Sequence, residues 1–538
     1  MLDRPLSRYA TDDVPRSWWA QWRHRVAYYI PVLAWLPVYF NHGLSTLMGD
    51  VMASLTVACL LVPQGLSYAS LAHLGPMHGI WTSCAPTLAY ALLGTSRQLS
   101  VGPEALVAML VGTATVEEES ISIDAATSLS PAELATILAV LVGLFNLVLG
   151  LFRLGFLDSV LSRTMLRGFI AAVGVVICIL QCVPLLGLSA LMHDDLDQDA
   201  SSMETLWWLI THIQHAHLLT AAMGFGCIGA LLLARWIKRR LARHRPLLVW
   251  PQLVPEILLV MVAAIIIARG FRLDERGVGV LGEVAGAGEF PTIRWPPLHR
   301  LSWPQFRSLF TSAALMTVIG FVESVAVTKQ HAAKHHYTVS SNRELVALGV
   351  ANIVGGTLGA FPAFGSMART KVNDKAGART QLAGLLTALW VLATGLFLLP
   401  SLWYLPLAAL AGVVFTAALS LIVEAPRELR FMARLHAWRD LFNMLFVFLT
   451  TVAVSVEAGM LIVICMSIML VIRHTTVPRV AAMGRLKGTS DNYRSLQELD
   501  PQHAELMDGV LIVRFEEDLY FANCGQLKDR LLRLEQHG

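Results

Sequence analysis

Twelve separate stretches of this chain are about 20 residues long and nearly free of charge, which is enough to cross a hydrocarbon layer about 30 Å thick. They fall at about 51–72, 77–93, 131–151, 168–190, 217–236, 251–270, 307–329, 344–361, 381–400, 402–423, 440–456 and 458–473. Lipid offers the backbone no hydrogen-bond partner, so such stretches must be helices and the chain an all-α polytopic membrane protein. Charge supports this: 15% of the 538 residues are charged and 55% are hydrophobic, where a soluble protein carries about 25% charged residues. An ordinary cytosolic enzyme is thereby nearly excluded. A net charge of +3 is too small to imply a nucleic-acid partner.

The seven cysteines, Cys59, Cys84, Cys178, Cys182, Cys227, Cys465 and Cys524, mostly lie inside apolar stretches. They form neither a disulfide framework nor a zinc spacing and read as small core residues. No removable signal peptide is evident in the first fifty residues. Residues 1–49 read instead as a cytoplasmic, interfacial segment, with Trp18, Trp19, Trp22, Tyr28, Tyr29 and Trp35 interleaved with Arg16, Arg23 and Arg25 at the headgroup level.

With that end cytoplasmic, the inner loops carry Arg153, Arg163 and Arg167; Arg235, Lys238, Arg239, Arg240, Arg243 and Arg245; Lys334 and Arg343; and Arg427, Arg430, Arg434 and Arg439. The outer loops carry Glu117, Glu118, Glu119 and Asp124, then Asp194, Asp195, Asp197 and Asp199. This is the positive-inside asymmetry, and it places both termini in the cytoplasm. One outer loop, about 271–304, is neutral and joins two halves.

Two further stretches, about 103–114 and 366–378, are short and flanked by Gly and Pro, as half-length transporter helices are. They bring the total to about 14 elements, each half having its short segment third. Seven is odd, so the second half enters from the opposite side and the 7+7 repeat must be inverted. Paired broken helices in such a repeat place a substrate site near the midplane.

In the first break, Ser100 is expected as a cap and Pro103 as an early helical residue; in the second, Gly365-Ser366 starts a helix and Arg369 follows within one turn. Two helix N-termini facing one another favour an anion, and Arg369 adds a charge that does not titrate. Glu104 and Glu323 lie inside spans. Carboxyl groups removed from water hold protons well enough to carry them. Glu323 could equally pair with Arg369, and Glu104 could serve only its helix dipole.

Leu61-Val62-Pro63-Gln64-Gly65-Leu66-Ser67-Tyr68-Ala69, Gly94-Thr95-Ser96-Arg97, Ser100-Val101-Gly102-Pro103, Glu323-Ser324, Asn352 and Gly365-Ser366 with Arg369-Thr370 follow in the order of the SulP anion transporters, the sulfate-permease family, which about 30–475 resembles. The resemblance implies a core domain moving against a gate domain, and a homodimer. It also implies an anion site at Gln64 and Tyr68, at the backbone of Glu104 and Ala105, and from Gly365 through Ser366 and Ala368 to Arg369, with Glu323 for proton coupling. Two departures stand out: Ala368 replaces a Ser common in the family, and Glu104 replaces the Phe of related animal exchangers. The acid beside the anion points to proton-linked uptake of a divalent anion, sulfate first. Alternatives are a bicarbonate, chloride or oxalate exchanger, or a channel-like or regulatory protein without turnover. The plasma membrane and an internal membrane are both open.

The transport domain is expected over 50–475, followed by a linker and a partial α/β tail over 476–538. There, 509–515 reads as a strand and Asn523 to Leu534 as a helix capped by Asn523, resembling the start of a STAS domain. Three other signals are set aside. Gly277-Val278-Gly279-Val280-Leu281-Gly282 lacks a βαβ setting. His331 and His335 have metal-ligand spacing without a third ligand and read as solvated at an interface. Gly355 and Gly359 read as a small-residue packing face. Neither a metal nor a cofactor is expected, and no enzyme motif is found.

Overall fold

The computed structural model describes residues 38–121, 129–195, 201–244, 255–476 and most of 478–537. The aromatic and basic positions of the N-terminal arm named above, with Asp124, Asp197, Asp199 and Arg245, lie outside the described residues. So do the side chains of Glu117, Glu118, Glu119, Asp194, Arg239 and Arg243.

A helix stands at each of the fourteen expected positions. In the first half these are α1 (Val38–Leu71), α2 (Pro76–Leu93), α3 (Ala105–Ile121), α4 (Pro131–Leu151), α5 (Arg163–Leu186), α6 (Leu218–His244) and α7 (Glu256–Gly270). In the second they are α8 (Trp303–Lys334), α9 (Ser341–Thr357), α10 (Met367–Ala376), α11 (Leu382–Ala393), α12 (Leu407–Arg434), α13 (Trp438–Ala453) and α14 (Val456–Thr476). The third helix of each half is preceded by a two-residue strand, β1 (Val101–Gly102) and β2 (Phe364–Gly365). Local signals fix several starts: Ser130 and Glu133 form a capping box before α4, and Ser302 and Gln305 do so before α8.

Among the described residues, eight helices are long and apolar enough by themselves to cross a membrane. The others are shorter or more polar, and two of them, α2 and α9, have buried interiors. A helix wrapped in protein need not be apolar to satisfy the bilayer.

Several helices overrun their apolar windows. α1 begins at Val38 rather than near 50, and α6, α8 and α12 end at His244, Lys334 and Arg434. Consequently Arg235, Lys238, Arg240, Lys334, Arg427, Arg430 and Arg434, expected in inner loops, stand on helix ends. Lys and Arg are good helix formers and interact favourably with a helix C-terminus, so nothing stops the helix at the hydrocarbon edge.

Small residues set the closest helix contacts. A Cβ on Gly79 would stand 2.0 Å from the Gly65 carbonyl oxygen, so α1 and α2 touch backbone to backbone. Gly143 and Gly349 do the same for α4 and α9. The expected Gly355/Gly359 face is corrected here: Gly355 packs on Pro86, but Gly359 lies beyond the end of α9, in a left-handed turn with φ +84°. Residues 277–282 run along the segment before α12, where Leu281 N–H donates to Leu405 O at 2.8 Å. That is a loop contact, with no nucleotide-binding turn.

The chain divides into two compact units, Met1–Ser159 with Arg163–Leu461, and Val160–Ser162 with Ile462–Gly538. In the second, β3 (Val480–Leu486) pairs antiparallel with β4 (Tyr493–Ser495), β5 (Ala504–Glu505) and β6 (Val513–Phe515), followed by α15 (Cys524–His537). Only β6 and α15 were expected from sequence. Asn523 stands at the start of α15, but its Oδ1 accepts the Tyr520 N–H behind it at 3.0 Å instead of capping the helix. All seven cysteines are free thiols; Cys84 and Cys227 are buried, whereas Cys465 and Cys524 are exposed and are not core residues.

Candidate substrate site

β1 and β2 pair antiparallel, Val101 with Gly365 and Gly102 with Phe364. The starts of α3 and α10 therefore meet within the first unit, and each presents first-turn N–H groups that no helix can bond internally. This pairing revises one sequence expectation. Ser100 does not cap α3; its carbonyl accepts the Ser366 N–H at 3.2 Å, and the helix begins at Ala105, with the Ala108 N–H on Glu104 O. Residues 101 and 102 are extended by the strand pair, which pushes the helix start past Pro103.

Arg369 is the largest fully buried side chain, at 2% exposed. Its Nη1 donates to the Pro103 carbonyl at 2.6 Å and to Gln64 Oε1 at 3.5 Å. Its Nε and Nη2 have no hydrogen-bond partner among the described residues. The guanidinium thus uses one corner to tie α10 to the first break and leaves an N–H edge unused. Gly102 makes room for it: a Cβ there would lie 3.0 Å from Leu61 Cδ1 and 3.5 Å from Arg369 Nη2. A buried guanidinium with vacant donors is costly unless a ligand takes them, and its flat edge matches an oxyanion.

Gln64 and Tyr68 are one helical turn apart on α1, both buried, and Tyr68 lies within the fields of Arg369, Glu104 and Glu323. Glu104 is buried; its carboxyl takes the Leu106 N–H at the start of α3 and meets the carboxyl of Glu323. Its Oε2 finds no N–H or O–H donor among the described residues. Both carboxyls also feel Arg369. Two carboxyl groups in contact share a proton or repel, so this pair can take one up or release it as the nearby charge changes. Ala105, Gly365 and Ser366 line the two helix starts, while Ala368 is exposed on α10. Ser366 stands at the N-terminus of α10 without a side-chain cap bond. Gly365, Ser366 and Arg369 are thus brought together with Gln64, Tyr68, Glu104, Ala105 and Glu323. The methyl of Ala368 is the one predicted position left exposed.

The braces around the site are long-range. Ser324 Oγ accepts the Gly365 N–H at 2.9 Å, so the residue after Glu323 holds the second break. Asn352 brackets Ala363, accepting its N–H at 2.7 Å and donating to its carbonyl at 3.0 Å. Gly320 admits the Phe364 ring, to which a Cβ would come within 2.3 Å. On the other side, fully buried Glu344 accepts the Tyr90 hydroxyl at 2.7 Å, the Thr95 N–H at 3.0 Å and the Thr95 hydroxyl. Tyr337 donates to Gln98 Oε1 at 2.7 Å, Asn373 Nδ2 donates to the Gln98 carbonyl at 2.9 Å, and Gln381 Nε2 donates to the Gly94 carbonyl. Asp50 accepts the Arg379 N–H at 2.7 Å and the Thr380 hydroxyl. Of these, Glu344, Tyr337, Gln381 and Asn373 escaped the sequence reading. The available signal was a polar residue at the edge of an apolar window, as with Glu344 and Gln381.

The histidines are also corrected. His331 is buried, and His335 Nε2 lies 2.6 Å from Asp374 Oδ1, with Lys334 on the other oxygen. They belong to an ion-pair cluster joining the ends of α8 and α10, and are not merely solvated at an interface. Among the described residues no group of three or more metal-ligating side chains forms a metal site.

Comparison with known proteins bears on the chain as a whole. The profile of the Sulfate permease family matches residues 47–478. Sulfate transporter 4.1, chloroplastic, of Arabidopsis thaliana is 32% identical over 535 residues, covering 97% of this chain and 73% of that protein. Human solute carrier family 26 member 6 is 31% identical over 544 residues, covering 98% and 68%. The structure of the murine solute carrier 26 family member A9 anion transporter in the inward-facing state matches with a TM-score of 0.80 at 25% identity, covering 99% of this chain and 85% of that one. The chain belongs to the sulfate permease family and is a multi-pass membrane transporter rather than an enzyme.

Proposed function

We propose that this protein carries a small inorganic oxyanion, sulfate above others, inward together with protons by alternating access. The observation that carries the reading is the vacant Nε and Nη2 of fully buried Arg369, set between two converging helix starts. An oxyanion would take these donors together with first-turn N–H groups of α3 and α10. Gln64 and Tyr68 would form its wall, and Glu104 with Glu323 would hold the proton that offsets its charge.

The relatives named as sulfate transporters favour sulfate as the cargo. The matching third elements of the two halves support an inverted repeat, with the half-helices in a core domain that moves against a gate domain. The same reading has both termini cytoplasmic, a transport domain over 50–475 followed by a partial STAS-like tail over 476–538, and homodimers as the assembly.

Labelled sulfate uptake into proteoliposomes, with and without an inward proton gradient, tests this. Uptake should follow the gradient, disappear in Arg369→Ala and lose its gradient dependence in Glu323→Gln. Sulfate flux that ignores the gradient and requires a second anion inside would replace symport with exchange.

A further inference from the structure

A shallow cavity of about 540 Å³ opens between α6 and α7, away from the anion site. Its walls are entirely apolar or small, including Met223, Gly226, Cys227, Ala230, Val260 and Ala263. A Cβ built on Gly226 meets nothing within 4 Å, so the hollow is room left by small residues rather than a seam closed by a neighbouring helix.

Toward its C-terminus, α6 continues the same apolar stripe through exposed Leu233, Ile237 and Leu241. The stripe then reaches Arg240, which follows Ala222 of the cavity wall by five helical turns, about 27 Å, and so stands over the same edge of the helix. Of the other cations there whose side chains are described, Arg235 donates to the Thr416 carbonyl at 3.1 Å and Lys238 pairs with Glu256. Arg240 lies over the Trp236 ring, 5.1 Å from its centroid, and has no carboxylate partner among the described residues.

We propose that this groove binds one anionic diacyl phospholipid, its phosphate on Arg240 and one acyl chain along the stripe and into the cavity. Charge complementarity selects the occupant. A zwitterionic headgroup carries an ammonium that offsets its phosphate, whereas an anionic headgroup brings a net negative charge to an Arg at the basic end of a span and gains more from it. The Trp236 ring beside the guanidinium is the amphipathic group expected at headgroup level.

The test is photo-crosslinking of the full-length protein in nanodiscs with phosphatidylglycerol or phosphatidylcholine bearing a diazirine near the acyl terminus. Adducts are located by mass spectrometry of digested peptides. Phosphatidylglycerol should label the cavity segments of α6 and α7 above phosphatidylcholine, and Arg240→Gln should lower that excess about five-fold, the factor one Arg near an anionic surface is worth. Gly226→Phe should block labelling by both lipids by filling a space that is open at that Cβ, and unfolding is checked by the melting temperature of each variant. Equal labelling by both lipids, unmoved by Arg240→Gln, would reduce the groove to ordinary annular contact and overturn the proposal. So would a groove labelled only after the protein is made monomeric, which would make a second copy its occupant. Retained labelling in excess glycerol phosphate is expected; loss there would mean that a free phosphate, not a lipid, holds Arg240.

Discussion

The two breaks are built to one plan and filled with opposite chemistry. Each is a two-residue strand running into a helix start, and each strand pairs with the other. The first delivers an acid, Glu104, whose carboxyl sits on its own helix N-terminus; the second delivers Arg369, whose charge lies within its first turn. Their bracing differs too. The second break is fixed by α8 and α9 through Ser324 and Asn352, close in sequence to what they hold. The first is fixed mainly from the other half of the chain, by Glu344, Tyr337, Asn373 and Gln381. The comparison teaches that Arg369 and Glu104 come from separate halves, with Glu323 on α8 sharing the half of Arg369, and that the first break cannot form its final shape before the second half is present.

Breaking the charge on the second break should have the largest effect. Arg369→Ala should lower sulfate uptake on the order of 100-fold or more, as expected when a buried charge contact is removed. Arg369→Lys should restore little, because an ammonium cannot reach Pro103 O and also present a flat N–H edge. Uptake near wild type in Arg369→Ala would remove Arg369 from the site.

The bracing asymmetry comes next. Glu344→Ala strips Tyr90 and Thr95 of a shared acceptor and should destabilise the protein by about 2–3 kcal/mol. Ser324→Ala removes a single neutral acceptor and should cost about 1 kcal/mol. Thermal melting of the purified proteins ranks the two; the reverse order would contradict the account of the braces.

The acids should separate more finely. On the proposed proton linkage, wild-type uptake rises as external pH falls, because the cargo enters with protons. Glu323→Gln should flatten that profile, whereas Glu104→Gln should keep part of it, its amide oxygen still accepting the Leu106 N–H at the start of α3. Identical profiles for both variants and wild type would make the pair structural. Ala368→Ser, on an exposed position, should change uptake least, by about two-fold at most.

What could be read from sequence follows from the range of the forces involved. Apolar length placed twelve helices, since crossing a bilayer is a local requirement, and Gly and Pro flanks marked the two short ones. Gly365-Ser366 with Arg369 was legible because a helix start and a charge within one turn are adjacent in sequence. The β1–β2 pairing was not, because its partners are more than 260 residues apart, and so the start of α3 was read four residues early. Glu344 was missed because its partners, Tyr90 and Thr95, belong to the other half. Strands β4 and β5 were missed because they are three and two residues long, and β3, Val480–Leu486, because it lacks an apolar–polar alternation and is held by pairing with the others.

The most direct test of the central claim is the heat of sulfate binding to the purified protein, measured in two buffers of different ionisation enthalpy. If Arg369 binds the anion beside a proton-carrying pair, wild type binds sulfate with proton uptake, Glu323→Gln binds without it, and Arg369→Ala gives no binding heat. Sulfate binding by Arg369→Ala with wild-type affinity would contradict the account.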